Sequence, residues 1–213
     1  MLHPLFEPLI DSMSNESFLR EFSKKYHYDE PQLSTLAAVA VSMQETIRRD
    51  VQDGKAGWNC AAVSMSDEGI PDKYLPACIT LGPGVDALQE SYLRQSLLTE
   101  AYMVETLASE LLLRAYPLWN DWVASRGTEP TALHVYRYHF LGSEDSCPIE
   151  RLPELLKDLE VPVTCTAAYC MLPQKSVAFY AEVTKDKGVA CEGICVGCGR
   201  KDCPNRMERE EVL

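Results

Sequence analysis

The chain has 213 residues, of which 46% are hydrophobic and 24% charged, and it carries a formal net charge of −12 at pH 7. That length gives one domain or one and a half, with enough apolar material for a sizeable core. The acidic balance excludes sequence-independent nucleic-acid binding, which needs cations to neutralise phosphates, and it argues equally against an anionic membrane surface while leaving a basic partner possible.

Residues 1–13 read as a loose lead-in. Pro4, Glu7, Pro8 and Asp11 interrupt its apolar residues, so neither a signal peptide nor a transmembrane helix is expected there, and no later segment is apolar enough to span a bilayer. A cytoplasmic protein with reduced thiols is therefore expected. Ser14-Asn15-Glu16-Ser17 starts a helix running to about Tyr28, with Phe18, Leu19 and Phe22 as its apolar face. Asp29-Glu30-Pro31 opens a second helix, in which Leu33, Leu36, Ala37, Ala40, Val41, Gln44 and Ile47 keep the helical period up to the turn at Asp53-Gly54-Lys55.

Trp58 to Ser66 is small and partly alternating and predicts a strand; Ala77 to Gly82, bounded by prolines, predicts a buried one. From Val85 to about Ser125 the pattern is helical, as two helices or one kinked at Pro117. Val104, Leu107, Ala108, Leu111 and Ala115 share one face, and Arg126-Gly127 closes the run. Glu100, Glu105 and Glu110 are five residues apart and point in three directions, so they form no carboxylate pair. Leu133 to Phe140 is the clearest strand. A period of two puts Leu133, Val135, Arg137 and His139 on one face and His134, Tyr136, Tyr138 and Phe140 on the other. A loop through Gly142 and Cys147-Pro148 leads to a short helix of about 149–158, a short strand at Val161–Thr166 and a longer one at Lys175–Thr184.

Four of the nine cysteines then fall within 13 residues, as Cys191-x3-Cys195-x2-Cys198-x4-Cys203-Pro204 with interleaved glycines. Clustered thiolates on short, sharply turning loops suit a metal. The spacing is close to the C-x2-C-x2-C-x3-C-P run of bacterial-type ferredoxins and also allows a tetrahedral zinc site. Cys165 or Cys170 is an alternative to Cys191 as fourth ligand. Isolated Cys60, Cys78 and Cys147 read as small hydrophobes, and Trp58, Trp119 and Trp122 as core or interface residues. Arg137 and His139, a cation and an imidazole on one strand face, suit a carboxylate, a phosphate or a polar side group of a larger ligand; the alternative is an ion pair beside a half-buried histidine. No Gly-rich phosphate loop, Ser–His–Asp arrangement or H-E-x-x-H motif is present.

Met171-Leu-Pro-Gln-Lys175-Ser176-Val-Ala-Phe179 resembles the "M-x-P-x-x-S/A-V-S" segment of the reactivation domain of cobalamin-dependent methionine synthase, and more closely that of stand-alone relatives of the domain. Ala77–Gly82 with its following helix, the arginine-bearing strand and loop of 133–159, and a terminal C-x2-C-x4-C-P-x-R motif ending at Arg206 recur in the family's order over roughly residues 58–206. Departures exist: Gly142 lies one position late after Arg137, Ser143 stands where the family's S-adenosylmethionine loop has Tyr, and Thr166 to Tyr169 lacks the family's acid. The resemblance implies an α+β fold with a curved, mainly antiparallel sheet and packed helices. It implies an activation-domain-like unit over 58–188 followed by a Cys-rich metal-binding tail over 189–213; the helical pattern before it gives an N-terminal helical segment over 1–57, to which the resemblance does not extend. It puts Tyr169, Lys175 and Ser176 in the family's ligand cleft, beside Arg137 and His139. It further implies a redox accessory role toward a corrinoid protein, with Cys191, Cys195, Cys198 and Cys203 holding a [4Fe–4S] cluster. The alternatives are a binding module with a structural zinc tail and a methyl-transfer partner that binds S-adenosylmethionine or cobalamin.

Overall fold

A computed structural model describes residues 7–60, 74–126, 132–143 and 146–195. The fold is α+β, with a four-stranded antiparallel sheet and helices packed on it. Three N-terminal helices come first: α1 (Glu7–Ser12), α2 (Glu16–Tyr26) and α3 (Leu33–Gln52). β1 (Gly57–Cys60) and β2 (Tyr74–Thr80) follow, then α4 (Pro83–Arg94) and α5 (Leu98–Ser125). β3 (His134–Phe140) leads through a 3-10 turn at Ile149–Arg151 into α6 (Leu152–Asp158). β4 (Thr164–Cys165) and β5 (Met171–Leu172) form a separate two-stranded ribbon before β6 (Ser176–Thr184). The sheet order is β1-β2-β6-β3, so the last strand lies between the second and third. No helix among the described residues is long and apolar enough to cross a membrane.

The helix starts follow local chemistry. Asn15 precedes α2 in an extended conformation. Before α3, Asp29 and Gln32 form a reciprocal capping box with Pro31 in the first turn. The inner face of α3 is Leu36, Val39, Ala40, Met43, Gln44 and Ile47. Val41, expected on that face, is instead exposed, because Val39 and Met43 complete the buried stripe. The helical run from Val85 divides into two helices, with Ser96 at the break in a left-handed conformation (φ 61°). Pro117 lies inside the continuous α5.

The helices cover one face of the sheet. Val104, Leu107, Ala108, Leu111 and Ala115 of α5 are fully or almost fully buried, together with Ile47 of α3, Trp58 of β1, Ile79 of β2 and Phe179 of β6, in one continuous core. Each such aliphatic or aromatic side chain contributes about 1.5–3 kcal/mol on removal from water. An aromatic cluster sits where α5 meets the sheet. Trp119 packs edge-on against Phe179 at 5.1 Å, and Tyr138 meets Phe179 at 5.3 Å. The other face carries a smaller core, in which Leu152, Leu155 and Leu156 of α6 pack on Cys78 and Ala178.

β3 departs from simple alternation. Val135 pairs with Val183 and Arg137 with Glu182, so Tyr136 is an extra residue, a β-bulge. Val135 and Tyr138 are consequently both buried in the helix-side core. The period of two had placed Val135 with Arg137 and His139; the bulge separates them, and Arg137 and His139 alone turn to the opposite face. The continuation of the first strand beyond residue 60 and the charged C-terminal end lie outside the described residues.

Asp50 joins the N-terminal helices to the rest of the fold. Its buried carboxylate accepts a hydrogen bond of 2.6 Å from the backbone N–H of Gly84 in the first turn of α4, satisfying a donor that no intrahelical partner can. The approach is possible only beside glycine: a Cβ at Gly84 would lie 2.5 Å from Thr46 and 2.7 Å from Asp50. Replacing Asp50 with Ala is expected to cost about 1–3 kcal/mol, the price of a buried donor left unpaired, with Asp50→Asn losing less. Urea unfolding of the two variants against the native chain measures it.

Candidate functional site

The second face of the sheet is only partly covered. Cross-strand register sets its side chains in rows. Cys78 faces Ala178, and α6 covers that row. The next row is Pro76, Tyr180 and His139, and the one beyond is Tyr74, Glu182 and Arg137. α6 is a two-turn helix, and of these rows it meets Tyr180 at its edge. Tyr74, Pro76, His139 and Tyr180 therefore line a cleft of about 460 Å³, with Ser146, Cys147 and Arg151 as the wall.

Local structure builds that wall. Gly142, at φ 82°, donates its N–H to the carbonyl of Cys147 at 2.7 Å. The chain thus returns to the strand end, and Cys147 is buried at the cleft edge. The 3-10 turn then places the Arg151 guanidinium 5.3 Å from the centre of the Tyr180 ring, a cation–π contact. On the floor, His139 Nε2 lies 3.2 Å from the Glu182 carboxylate, with both side chains largely buried. The Tyr74 ring meets the His139 imidazole edge-on at 5.4 Å. Burial pushes the Tyr180 phenol above its ordinary 10.0, so it stays protonated at neutral pH.

The bulge also seats the beginning of the cysteine-rich segment. The Glu192 N–H donates to the Tyr136 carbonyl at 2.8 Å. The Tyr136 hydroxyl donates to Glu192 Oε1 at 3.1 Å, and that hydrogen bond holds the phenol above its usual range. Arg137 Nε lies 3.6 Å from Glu192 Oε2. Cys191 and Ile194 pack half-buried against the main core. Cys191 is therefore held against β3, on the side of the helix-facing core. Cys198 and Cys203 lie outside the described residues.

The sequence-predicted ligand residues do not all meet. Arg137 and His139 share the open face. Lys175 and Ser176 stand at the far end of β6, about 20 Å along the strand from Glu182. There Lys175 is buried and ion-paired to Glu105 of α5 at 2.5 Å, and the Ser176 hydroxyl bonds to Thr80 at 2.8 Å and to the Pro173 carbonyl at 2.7 Å. Tyr169 is half-buried in the turn joining β4 and β5, left-handed at φ 60°, and packs on the α6 core. Tyr74, Arg151 and Tyr180 were not singled out in the sequence. Tyr180 could have been found by alternation from the buried Phe179; Tyr74 and Arg151 carry no local signal. Among proteins and families already characterised, no family model matches the chain and no curated protein matches it.

The described cysteines differ in exposure. Burial pushes Cys60 up to about 11 and Cys78 up to about 12, whereas Cys170 is exposed. Brief iodoacetamide treatment at about pH 8 is expected to label Cys170 well before Cys60 or Cys78, because the thiolate is the nucleophile; peptide mass spectrometry reads the order.

The Lys175–Glu105 pair generates a pH dependence. Burial pushes the Glu105 carboxyl up, but hydrogen bonds from Lys175 and Gln89 outweigh it and hold the group below its ordinary 4.5. Glu110 is likewise lowered, against burial, by Lys25 and Arg114. A carboxyl depressed on folding stabilises fully above its unfolded value and loses that contribution as pH falls through its folded value. Stability is therefore expected to fall as pH drops below 4.5, and the Glu105→Gln, Glu110→Gln double variant to lose less over that interval. Urea midpoints at about pH 6 and about pH 3 test it.

Proposed function

We propose that this protein is a cytoplasmic redox accessory of corrinoid metabolism, docking a corrinoid protein on the open face of its sheet and relaying electrons through a cysteine-ligated iron–sulfur cluster. The observation that supports this is the seating of the Cys191–Cys195 segment on β3 by Glu192, directly beside Arg137. That latch gives Cys191 a fixed position against β3. The order of motifs resembling the methionine synthase activation domain supports the same role.

The donor set fits the group. Cys191, Cys195, Cys198 and Cys203 supply four soft thiolates, the ligands of an iron–sulfur cluster and equally of structural zinc. When bound, such a cluster supplies one electron at a time at a potential tuned by its surroundings. The chain's own residues do the remaining work. Tyr136 and Arg137 fix Glu192 and hence the approach of Cys191. Arg151 presents its guanidinium to the partner at the wall of the cleft, above the His139–Glu182 pair on the floor. The acidic surface suits a partner with a basic docking face.

Protein purified away from oxygen is expected to contain iron and sulfide at cluster stoichiometry, with broad visible absorption that bleaches on reduction, and Cys195→Ser is expected to lose most of it. Stoichiometric zinc without iron would instead make the tail a structural knuckle and the protein a binding module. Mixing the reduced protein with a cob(II)alamin-loaded corrinoid protein, and following the cobalt spectrum, tests the relay itself.

A further inference from the structure

The cleft has a chemistry of its own, distinct from the cysteine segment. We propose that it binds a small, flat ring-bearing anion of nucleotide size, with the anionic group on Arg151 and the ring against Tyr74 and Pro76. This rests on the open face being a binding surface, but not on the identity of any metal.

Size comes first. A cavity of about 460 Å³ falls within the roughly 300–1,000 Å³ range of small-molecule sites. The cleft is also built on firm elements, since its floor is the middle of an antiparallel sheet whose reverse face is the main core. Charge decides the ligand's sign. Among the described residues the Arg151 guanidinium makes no ion pair; its described side-chain contact is the Tyr180 ring. Stacking on that ring holds the planar fork in place, so little freedom is lost when it takes a phosphate or carboxylate. The one acid on the floor, Glu182, is engaged by His139 at 3.2 Å, so it does not cancel Arg151. Glu154 and Asp158 on α6 lie near Tyr180 and moderate the positive field without pairing Arg151. The same cation disfavours a ligand with positive charge beside its ring, such as a sulfonium. Shape follows from Tyr74 and Pro76. Tyr74 is 43% exposed, its ring set edge-on to His139, and with the Pro76 ring it forms an apolar wall for a flat group.

Calorimetry with adenosine 5′-monophosphate, adenosine, inorganic phosphate and S-adenosylmethionine as probes tests this on the full chain. Adenosine monophosphate is expected to bind below about 1 mM and at least tenfold more tightly than adenosine or phosphate alone, a tenfold ratio being about 1.4 kcal/mol. Arg151→Ala should erase the preference for the monophosphate over adenosine while leaving adenosine binding unchanged; Tyr74→Ala should weaken both nucleoside ligands together. Both side chains are exposed, so unchanged unfolding midpoints are expected for both variants. Absence of binding by the monophosphate, a preference that survives Arg151→Ala, or tighter binding of S-adenosylmethionine overturns the assignment. None of these outcomes depends on metal content, so failure here is separable from failure of the redox role.

Discussion

One extra residue in β3 sets the character of both faces of the sheet. Because Tyr136 is bulged out of register with β6, Val135 and Tyr138 both enter the helix-side core, and Arg137 and His139 are turned together to the other side. A regular strand would have forced a choice: either Val135 or Tyr138 in the core, with the remaining one displaced onto the open face. The bulge also frees the Tyr136 carbonyl from the ladder, and the Glu192 N–H takes it. A single local irregularity therefore completes the aromatic core, gathers the polar face and seats the cysteine segment. Bulges are found at sheet edges, where they re-aim side chains; β3 is an edge strand of this sheet.

The brevity of α6 is the complementary constraint. Its three buried leucines seal the Cys78–Ala178 row, and the helix ends at Asp158, with Glu160 just beyond it in a left-handed conformation. A helix of seven residues spans about 10 Å, enough for one or two rows of a sheet but not four. The rows beyond stay open, and their residues are polar or amphipathic: tyrosine, histidine, glutamate and arginine. The same strand β6 thus alternates Phe179, Ala181 and Val183 into the core with Tyr180 and Glu182 on the cleft side.

Much of this architecture was legible in the sequence, and the gaps have identifiable causes. The α5 stripe from Val104 to Ala115 follows from the helical period, and the β3 strand from its run of β-formers. Strand existence is a local property; bulge position is not, since it arises from pairing with β6 some forty residues later, and so the parity of Val135 could not be read. The candidate site divides in the same way. Arg137 and His139 were visible as polar residues within an apolar strand. Tyr74, Tyr180 and Arg151 come from three elements that only the fold brings together. Lys175 illustrates the reverse case: a lysine beside a recognisable motif suggested a ligand contact, but its partner is Glu105, seventy residues earlier on α5, where an apolar helix pattern gave no hint of pairing.

The charge of the chain and the charge of the cleft act on different length scales. A net charge of −12 repels a polyanion, which must bring many phosphates against an acidic surface at once. Such repulsion is screened over about 8 Å at physiological ionic strength. A small anion entering the cleft meets instead the guanidinium of Arg151 at contact distance, in a partly enclosed site where water screens less. The acidic surface therefore disfavours a polyanion without disfavouring a single phosphate or carboxylate. The same surface, acting at long range, favours approach by a basic protein. Steering and local recognition are thus carried by charges of opposite sign.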